Sequence, residues 1–367
     1  MPIMNILIYA GHPAQYHFFK NAIRKLVNDG HKIKLLIKTK DILENLLKED
    51  GLEYENIQPK MRKNSKISIL WAAIRRTCRV ISIARKFKAS ILVGSDSSIA
   101  WAGWLLGKPT VTVLEDDIEV IHNYARITYP FAKTLLVPDV CRVGKWEKKK
   151  IPYDGYMKLA YLHPSYFTPN EDIVHSYDIS DNYILIRLAK LTAYHDSGIS
   201  GLDGSLVHRV IEMAERCGYK TYITSESEVD SSLKQYQLKI SYKDIHHILA
   251  FSSMLISDSQ SMSVEAAVLG VPSIRFSDFS GRISVLEELE KKYSLTFGIK
   301  TSMTQNLLDK FSDLIHIENL KDEFKQKRNA MLKDKIDVTA LFVWFIENYP
   351  DSRVIMTENP DYQYRFK

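Results

Sequence analysis

The sequence predicts an α/β protein made of two Rossmann-like β/α/β domains facing a cleft. Apolar runs of strand length alternate with amphipathic helical stretches, the pattern of parallel strands covered by helices. The alternation stops near residue 138 and starts afresh near residue 183, so it runs twice. The chain has 367 residues, 45% of them hydrophobic and 26% charged, enough for two globular domains of ordinary size.

Asn5–Ala10 is the first strand, stopped by Gly11-His12-Pro13. Phe18, Phe19, Ala22, Ile23, Leu26 and Val27 recur at helical spacing over 15–29, and Asp29-Gly30 closes that helix before a strand at 32–37. The loop between them lacks GxGxxG, so a tightly held NAD or FAD is not expected. A short helix at 41–50, a weak strand at 52–57 and a basic loop at 59–66 lead into a helix at 67–87. Its apolar face carries Ile69, Leu70, Ala73, Ile74, Val80 and Ile83; the other face carries Arg75, Arg76, Arg79, Arg85 and Lys86. That basic face reads as solvated charge, or as a peripheral contact with an anionic membrane or lipid-linked acceptor. A strand at 89–93 ends in Gly94-Ser95-Asp96, and a helix follows to Leu106. The strand at 110–114 ends at Glu115-Asp116-Asp117. A helix at 118–132 and a short strand at 135–138 end the first half. The Tyr- and Pro-rich stretch 155–169 holds the boundary, giving domains at 1–155 and 156–345. The tail, 346–367, is expected to pack back on the first domain or to fray.

The second half restarts with a strand at 183–188, with Arg187 near its end and Lys190 just beyond. A polar loop at 193–201 contains His195. A helix at 206–217 and a strand at 220–224 lead to Ser225-Glu226, then to a helix at 242–250. Met254–Ile256 is a strand that runs into the polar loop Ser257–Ser263. The next helix carries Glu265, ends at Gly270 and is blocked by Pro272; a strand starts at Ser273. Helices at 282–293, 304–311, 319–332 and 337–348 complete the chain.

The net charge of +6 favours phosphorylated small molecules or an anionic membrane face, and does not call for nucleic acid. Cys78, Cys141 and Cys217 form no CxxC or metal spacing, which fits reduced thiols in a reducing compartment. The N-terminus reads as a strand and not as a signal peptide, and no apolar run reaches the ~18 residues of a membrane span. A cytoplasmic protein is expected, with at most peripheral contact at the inner face of the membrane.

The hydroxyl-rich loop Ser257–Ser263, before the helix that carries Glu265 in its first turn, places side chains where helix N–H groups lack intrahelical partners, a site suited to a diphosphate. Simple capping by the serines explains the same pattern. Glu265, further in, could accept hydrogen bonds from ribose hydroxyls.

Taken together, Gly11–Phe19, Gly155–Pro164, Ser257–Pro272, Tyr349–Ser352 and Asn359–Phe366 resemble the DUF354 family. The architecture resembles GT-B glycosyltransferases and the non-hydrolysing UDP-N-acetylglucosamine 2-epimerases. The resemblance implies that the second domain binds a nucleotide-sugar. Ser259, Gln260 and Ser261 match the diphosphate cradle, Glu265 the ribose carboxylate, and Arg187 would be a cation for the phosphates. Lys190, His195, Ser225 and Glu226 complete the expected donor side. An inverting transferase needs a base for the acceptor hydroxyl; His12 and His17 are candidates, with Glu115 and Asp116 as rivals. No DxD pair suggests a metal clamp, and Asp116 and Asp117 would point apart on a strand, so neither metal nor cofactor is expected. The implied partners are a nucleotide-sugar donor and a glycan or lipid-linked acceptor in surface polysaccharide synthesis. Two other readings stand. One is an epimerase, since Asp96, Glu115, Asn123 and Arg126 are similar to that family's acidic strand ends and following Asn-Arg, although its His-Val-Glu-Ala-Gly-Leu-Arg run is absent. The other is a non-catalytic nucleotide-sugar-binding or scaffold protein.

Overall fold

The computed structural model describes residues 2–40, 42–59, 66–189, 201–225 and 228–367, the side chains of 66–70 excepted. Lys190, His195 and Glu226 lie outside the described residues. The chain divides into two compact units, Met1–Tyr166 with Lys335–Lys367, and Phe167–Asp334.

The first unit opens with β1 (Asn5–Ala10), α1 (Pro13–Asn28), β2 (Lys32–Lys38), α2 (Leu43–Glu49) and β3 (Glu55–Gln58). It continues with α3 (Lys66–Phe87), β4 (Ile91–Gly94), α4 (Ser97–Leu106), β5 (Thr110–Val113) and α5 (His122–Thr128). Strands β6 (Thr134–Pro138) and β7 (Lys150–Tyr153) and the short α6 (Leu159–Leu162) complete this stretch. All seven strands are parallel, in the order β3-β2-β1-β4-β5-β6-β7. The order reverses between β1 and β4, the switch point beyond which ligands sit in such sheets. Ile6–Ala10 are fully buried because helices cover both faces of a parallel sheet. The helix expected to start at 15 starts at Pro13, because His12 caps it and proline at the first position needs no N–H partner.

The boundary falls after Tyr166, inside the stretch 155–169 but later than the expected division after 155, and the segment from Lys335 onward counts with the first unit. Composition suggested a linker at 155–169, but Tyr156 and Leu159–Leu162 are core residues. The carbonyl of Ala160 accepts from Asn21 Nδ2 and from Thr339 Oγ1, both at 2.9 Å, tying α6 to α1 and to α14 (Val338–Glu347). Lys335 Nζ meets Asp154 Oδ1 at 2.6 Å. The tail, with α15 (Asp351–Glu358), is ordered: Tyr362 stacks on Trp344 at 4.7 Å and Gln363 Oε1 accepts from Asp154 N at 2.6 Å.

The second unit runs α7 (Glu171–His175), β8 (Tyr183–Leu188), α8 (Gly204–Arg216), β9 (Lys220–Ser225), α9 (Ile245–Phe251) and β10 (Met254–Ser257). It continues α10 (Gln260–Leu269), β11 (Ser273–Phe276), α11 (Ser284–Lys291), β12 (Thr296–Ile299), α12 (Thr304–Ile315) and α13 (Leu320–Asp334). Its five strands are parallel, in the order β12-β11-β10-β8-β9. The pairing aligns Arg187, Ser257, Arg275 and Gly298 in one row near the carboxyl edge. Among the described residues no helix is long and apolar enough to cross a membrane.

Candidate functional site

The corner between β10 and α10 is built from short-range contacts. Ser257 Oγ accepts from Ser259 N at 2.8 Å and turns the chain out of the strand. Ser259 is the N-cap of α10, its Oγ accepting from Met262 N at 3.4 Å, and Ser263 Oγ donates back to Ser259 O at 3.0 Å. Gly270, at φ 78°, closes the helix in a left-handed turn that favours glycine. The N–H groups of Gln260 and Ser261 open the first turn, where the helix presents its positive end. Ser259, Gln260 and Ser261 are half-buried, within reach of a ligand.

Gln260 does not extend its side chain outward as a ligand group would. Its Nε2 donates to Ser277 Oγ at 2.9 Å and its Oε1 accepts from Arg275 Nη1 at 3.0 Å. Arg275, which the sequence reading passed over, is fully buried and stands directly behind this first turn. Burial lowers its pKa to about 10, so it stays cationic at neutral pH. Its Nη2 lies 4.0 Å from Glu290 Oε2, and burial pushes the Glu290 carboxyl upward. A side chain at Gly298 would place Cβ 2.4 Å from Nη2, so the guanidinium lies where only glycine leaves room. Among the described residues Nε and Nη2 have no hydrogen-bond partner. A buried cation is costly, and here it shares one corner with a helix N-terminus. An arginine inside the strand Ser-Ile-Arg-Phe was the available signal.

Asp258 fixes the same corner from the other side. Its Oδ1 accepts from Ala189 N at 2.6 Å and its Oδ2 from Leu202 N at 3.3 Å. Burial raises its pKa to about 6, against the lowering effect of those two bonds. Arg187 is half-buried at the end of β8, and Ser225 ends β9 beside Leu188. Glu265 is turned inward and lies 3.5 Å from His246 Nε2, with both side chains nearly enclosed.

His12, exposed, uses Nδ1 to accept from Ala14 N at 3.2 Å as the cap of α1. The neutral ring therefore carries its proton on Nε2. His17 is buried and stacks on Tyr161 at 5.0 Å. Glu115 accepts from Met157 N at 2.6 Å and from Lys158 Nζ at 2.8 Å, in a nearly enclosed ion pair. Asp116 is exposed, whereas Asp117 is buried and accepts from Arg142 N at 2.9 Å, so the two diverge. Among the described residues no group of His, Cys, Asp and Glu is placed to hold a metal ion.

Asp96 caps α4, accepting from Ser98 N at 3.0 Å and from Ser98 Oγ at 2.7 Å, and pairs with Arg76 at 3.3 Å. Burial pushes its carboxyl up, but Arg76, Lys38 and the Ser98 bonds outweigh this and hold it below the usual range. Arg76 thus departs from the outward basic face expected of its helix. It falls at helical spacing from the buried Ala73 and Val80, and its Nη1 donates to Gln58 Oε1 at 2.8 Å. Arg79 likewise donates to Ile57 O.

No protein-family model and no curated protein matches this chain in sequence. Solved structures do match it in shape. A UDP-GlcNAc 2-epimerase from Neisseria meningitidis, bound to UDP-GlcNAc, is 14% identical and superposes with TM-score 0.68 over 94% of this chain and 99% of its own. Staphylococcus aureus MnaA with UDP gives TM-score 0.68 at 12% identity, covering 95% and 98%. The spinosyn rhamnosyltransferase SpnG, complexed with spinosyn aglycone, gives 0.59 at 12% identity, covering 94% and 100%. These likenesses establish the fold, two Rossmann-like α/β domains of the GT-B type shared by epimerases and glycosyltransferases.

Proposed function

We propose that this chain is a glycosyltransferase that moves a sugar from a nucleotide-sugar to a hydroxyl of a glycan or lipid-linked acceptor. The carrying observation is the positive corner at α10, where the first turn opens at the half-buried Ser259, Gln260 and Ser261 and the buried Arg275 stands behind it, bonded to Gln260 Oε1. In glycosyl transfer the departing diphosphate gains charge as the sugar–oxygen bond breaks, and fixed positive charge at that place lowers the barrier. The corner supplies this charge from the protein, so the reaction is proposed to run without a metal. Arg187, in register with Ser257, is a second cation for the phosphates. Glu265, beside His246, is proposed to accept from ribose hydroxyls. His12, at the end of β1, is the proposed acceptor-side group; serving as base requires it to release the capping bond from Nδ1.

The epimerase reading has the support of the UDP-GlcNAc 2-epimerase neighbour, but it needs carboxylates poised to remove a carbon-bound proton. Asp96 and Glu115 instead sit in ion pairs with Arg76 and Lys158. Arg76 helps to hold the Asp96 carboxyl below the usual range, which makes it a weaker base, and Glu115 is tied to Lys158 Nζ at 2.8 Å. The link to DUF354 and to surface polysaccharide synthesis rests on the sequence motifs alone.

The test is to incubate the chain with UDP-, GDP-, CMP- and dTDP-sugars and candidate acceptors in deuterated water, with and without EDTA. Transfer releases the nucleotide, is unaffected by EDTA, and leaves carbon-bound sugar protons unexchanged. Deuterium at sugar C2 with inversion there would establish the epimerase instead. Binding without turnover of any sugar would leave the scaffold reading.

A further inference from the structure

The outer side of α3 and α4 exposes large apolar side chains among its cations, where a surface helix ordinarily turns only polar groups to water. Trp71 and Trp104 are each 59% exposed, Leu105 58% and Ile74 38%. Between the helices runs a groove of about 260 Å³ lined chiefly by Ile74, Ile81, Trp101, Trp104, Leu105 and Phe131. Its polar atoms are turned to the backbone: Trp101 Nε1 donates to Ile127 O at 2.7 Å and Thr77 Oγ1 to Ala73 O at 2.9 Å. Phe131 packs edge-on against Trp104 at 5.2 Å and against Trp101 at 6.3 Å, so the aromatic wall is held in place. A contiguous apolar patch of this kind on a surface marks a contact site.

The surrounding charge identifies the occupant. From Trp71 to Gly94 the sequence holds 6 Lys and Arg and no Asp or Glu. Asp96 is the only acid between Pro59 and Leu114, and it is spent on the buried Arg76. Arg75 follows Trp71 by one helical turn, Arg85 follows Ile81 by one turn, and Lys108 follows Leu105; all three cations are exposed. A second copy of the chain would bring the same cations against this rim and be repelled. Tryptophan beside leucine, rimmed by cations, matches the headgroup layer of an anionic bilayer, where the indole ring lies between hydrocarbon and water.

We propose that this face docks on an anionic lipid surface. Trp71, Ile74, Trp104 and Leu105 enter the interfacial layer, and Arg75, Arg85 and Lys108 meet the headgroups. The proposal stands apart from the reaction assigned above. Arg76 and Arg79, which the basic-helix reading also enlisted, take no part, since both donate within the unit.

The test is flotation of the full chain with phosphatidylcholine vesicles, with and without 30 mol% phosphatidylglycerol, an amount set by the experimenter at roughly physiological anionic content. The wild type should float with the anionic vesicles, weakly or not at all with the neutral ones, and less as salt rises. Brominated lipid should quench its tryptophan emission. The double variant Trp104→Glu with Leu105→Glu alters side chains that are more than half exposed, so the protein should stay folded by its melting curve while flotation falls at least about tenfold. Arg75→Glu with Arg85→Glu should weaken flotation by at least about fivefold per position and flatten its salt dependence. Wild type that stays down with anionic vesicles overturns the proposal. So does a folded Trp104→Glu, Leu105→Glu protein that floats as before. A wild-type dimer that this variant converts to monomer also overturns it, in favour of a second copy as the occupant.

Discussion

Replacing Arg275 with methionine keeps most of the buried volume and removes one positive charge from behind α10. The guanidinium reaches Gln260 Oε1 at 3.0 Å, and Gln260 is the first residue of the helix. Adding the length of the glutamine side chain puts a phosphate on the helix N–H groups about 8 Å from the charge. At an effective dielectric of about 20, one unit charge at that distance is worth about 2 kcal/mol, or roughly 30-fold in affinity. Glu290, 4.0 Å from Nη2, offsets part of this, and the second charge of a diphosphate adds to it. Calorimetry should therefore show the nucleoside diphosphate binding roughly 30-fold more weakly to Arg275→Met, with the bare nucleoside within about twofold of wild type. Glu290→Gln should shift diphosphate affinity the opposite way. A folded Arg275→Met protein that binds the diphosphate as tightly as wild type would refute the electrostatic role. Absence of any nucleotide binding to the wild type would remove the donor site itself.

Three further outcomes follow from single contacts. Gly298→Ala brings a methyl group to 2.4 Å from Arg275 Nη2 and should cost about 1–3 kcal/mol in urea unfolding, with much of the loss recovered in the Arg275→Met background; equal costs in both would break the link. Asp258 has its pKa raised from 3.8 to about 6, so the folded state holds that proton more tightly than the unfolded chain, and this contribution is full below about pH 4 and lost as pH rises through 6. The change amounts to about 3 kcal/mol, so Asp258→Asn should flatten the pH 4–7 stability profile by that much, and parallel profiles would contradict the assignment. His12→Ala should lose about 1 kcal/mol of stability with the cap of α1, whereas His12→Asn should restore stability and leave transfer at least about 100-fold slower if the imidazole is the base; full activity in His12→Asn would leave it a cap only.

Much of the fold was legible because buried parallel strands such as Ile6–Ala10 are continuous apolar runs that contrast with amphipathic helices. Strands β7 and β12 escaped because each has four residues and an incomplete apolar pattern: Lys150 and Pro152 are only partly covered, and Gly298 has no side chain to report burial. The residues around α6 looked like a linker by their tyrosines and prolines, and only the packing of Leu159–Leu162 assigns them to a core. At the candidate site the serines of 257–263 were visible, since a hydroxyl-rich stretch between a strand and a helix is a local signal. Arg275 was not, because its neighbours Glu290 and Gly298 come from other elements and close on it only in three dimensions. Arg76 misled for a similar reason: Arg75 and Arg76 are adjacent, a helix turns successive residues by about 100°, and one faces water while the other meets Asp96.

The central claim, that α10 and Arg275 form the cradle of a nucleoside diphosphate, is tested most directly by a crystal of the chain soaked with UDP, GDP and dTDP in turn. The account predicts phosphate oxygens within about 3.2 Å of the N–H groups of Gln260 and Ser261, with Arg275 remaining bonded to Gln260. A nucleotide bound elsewhere in the second unit, with the start of α10 bare, would contradict it.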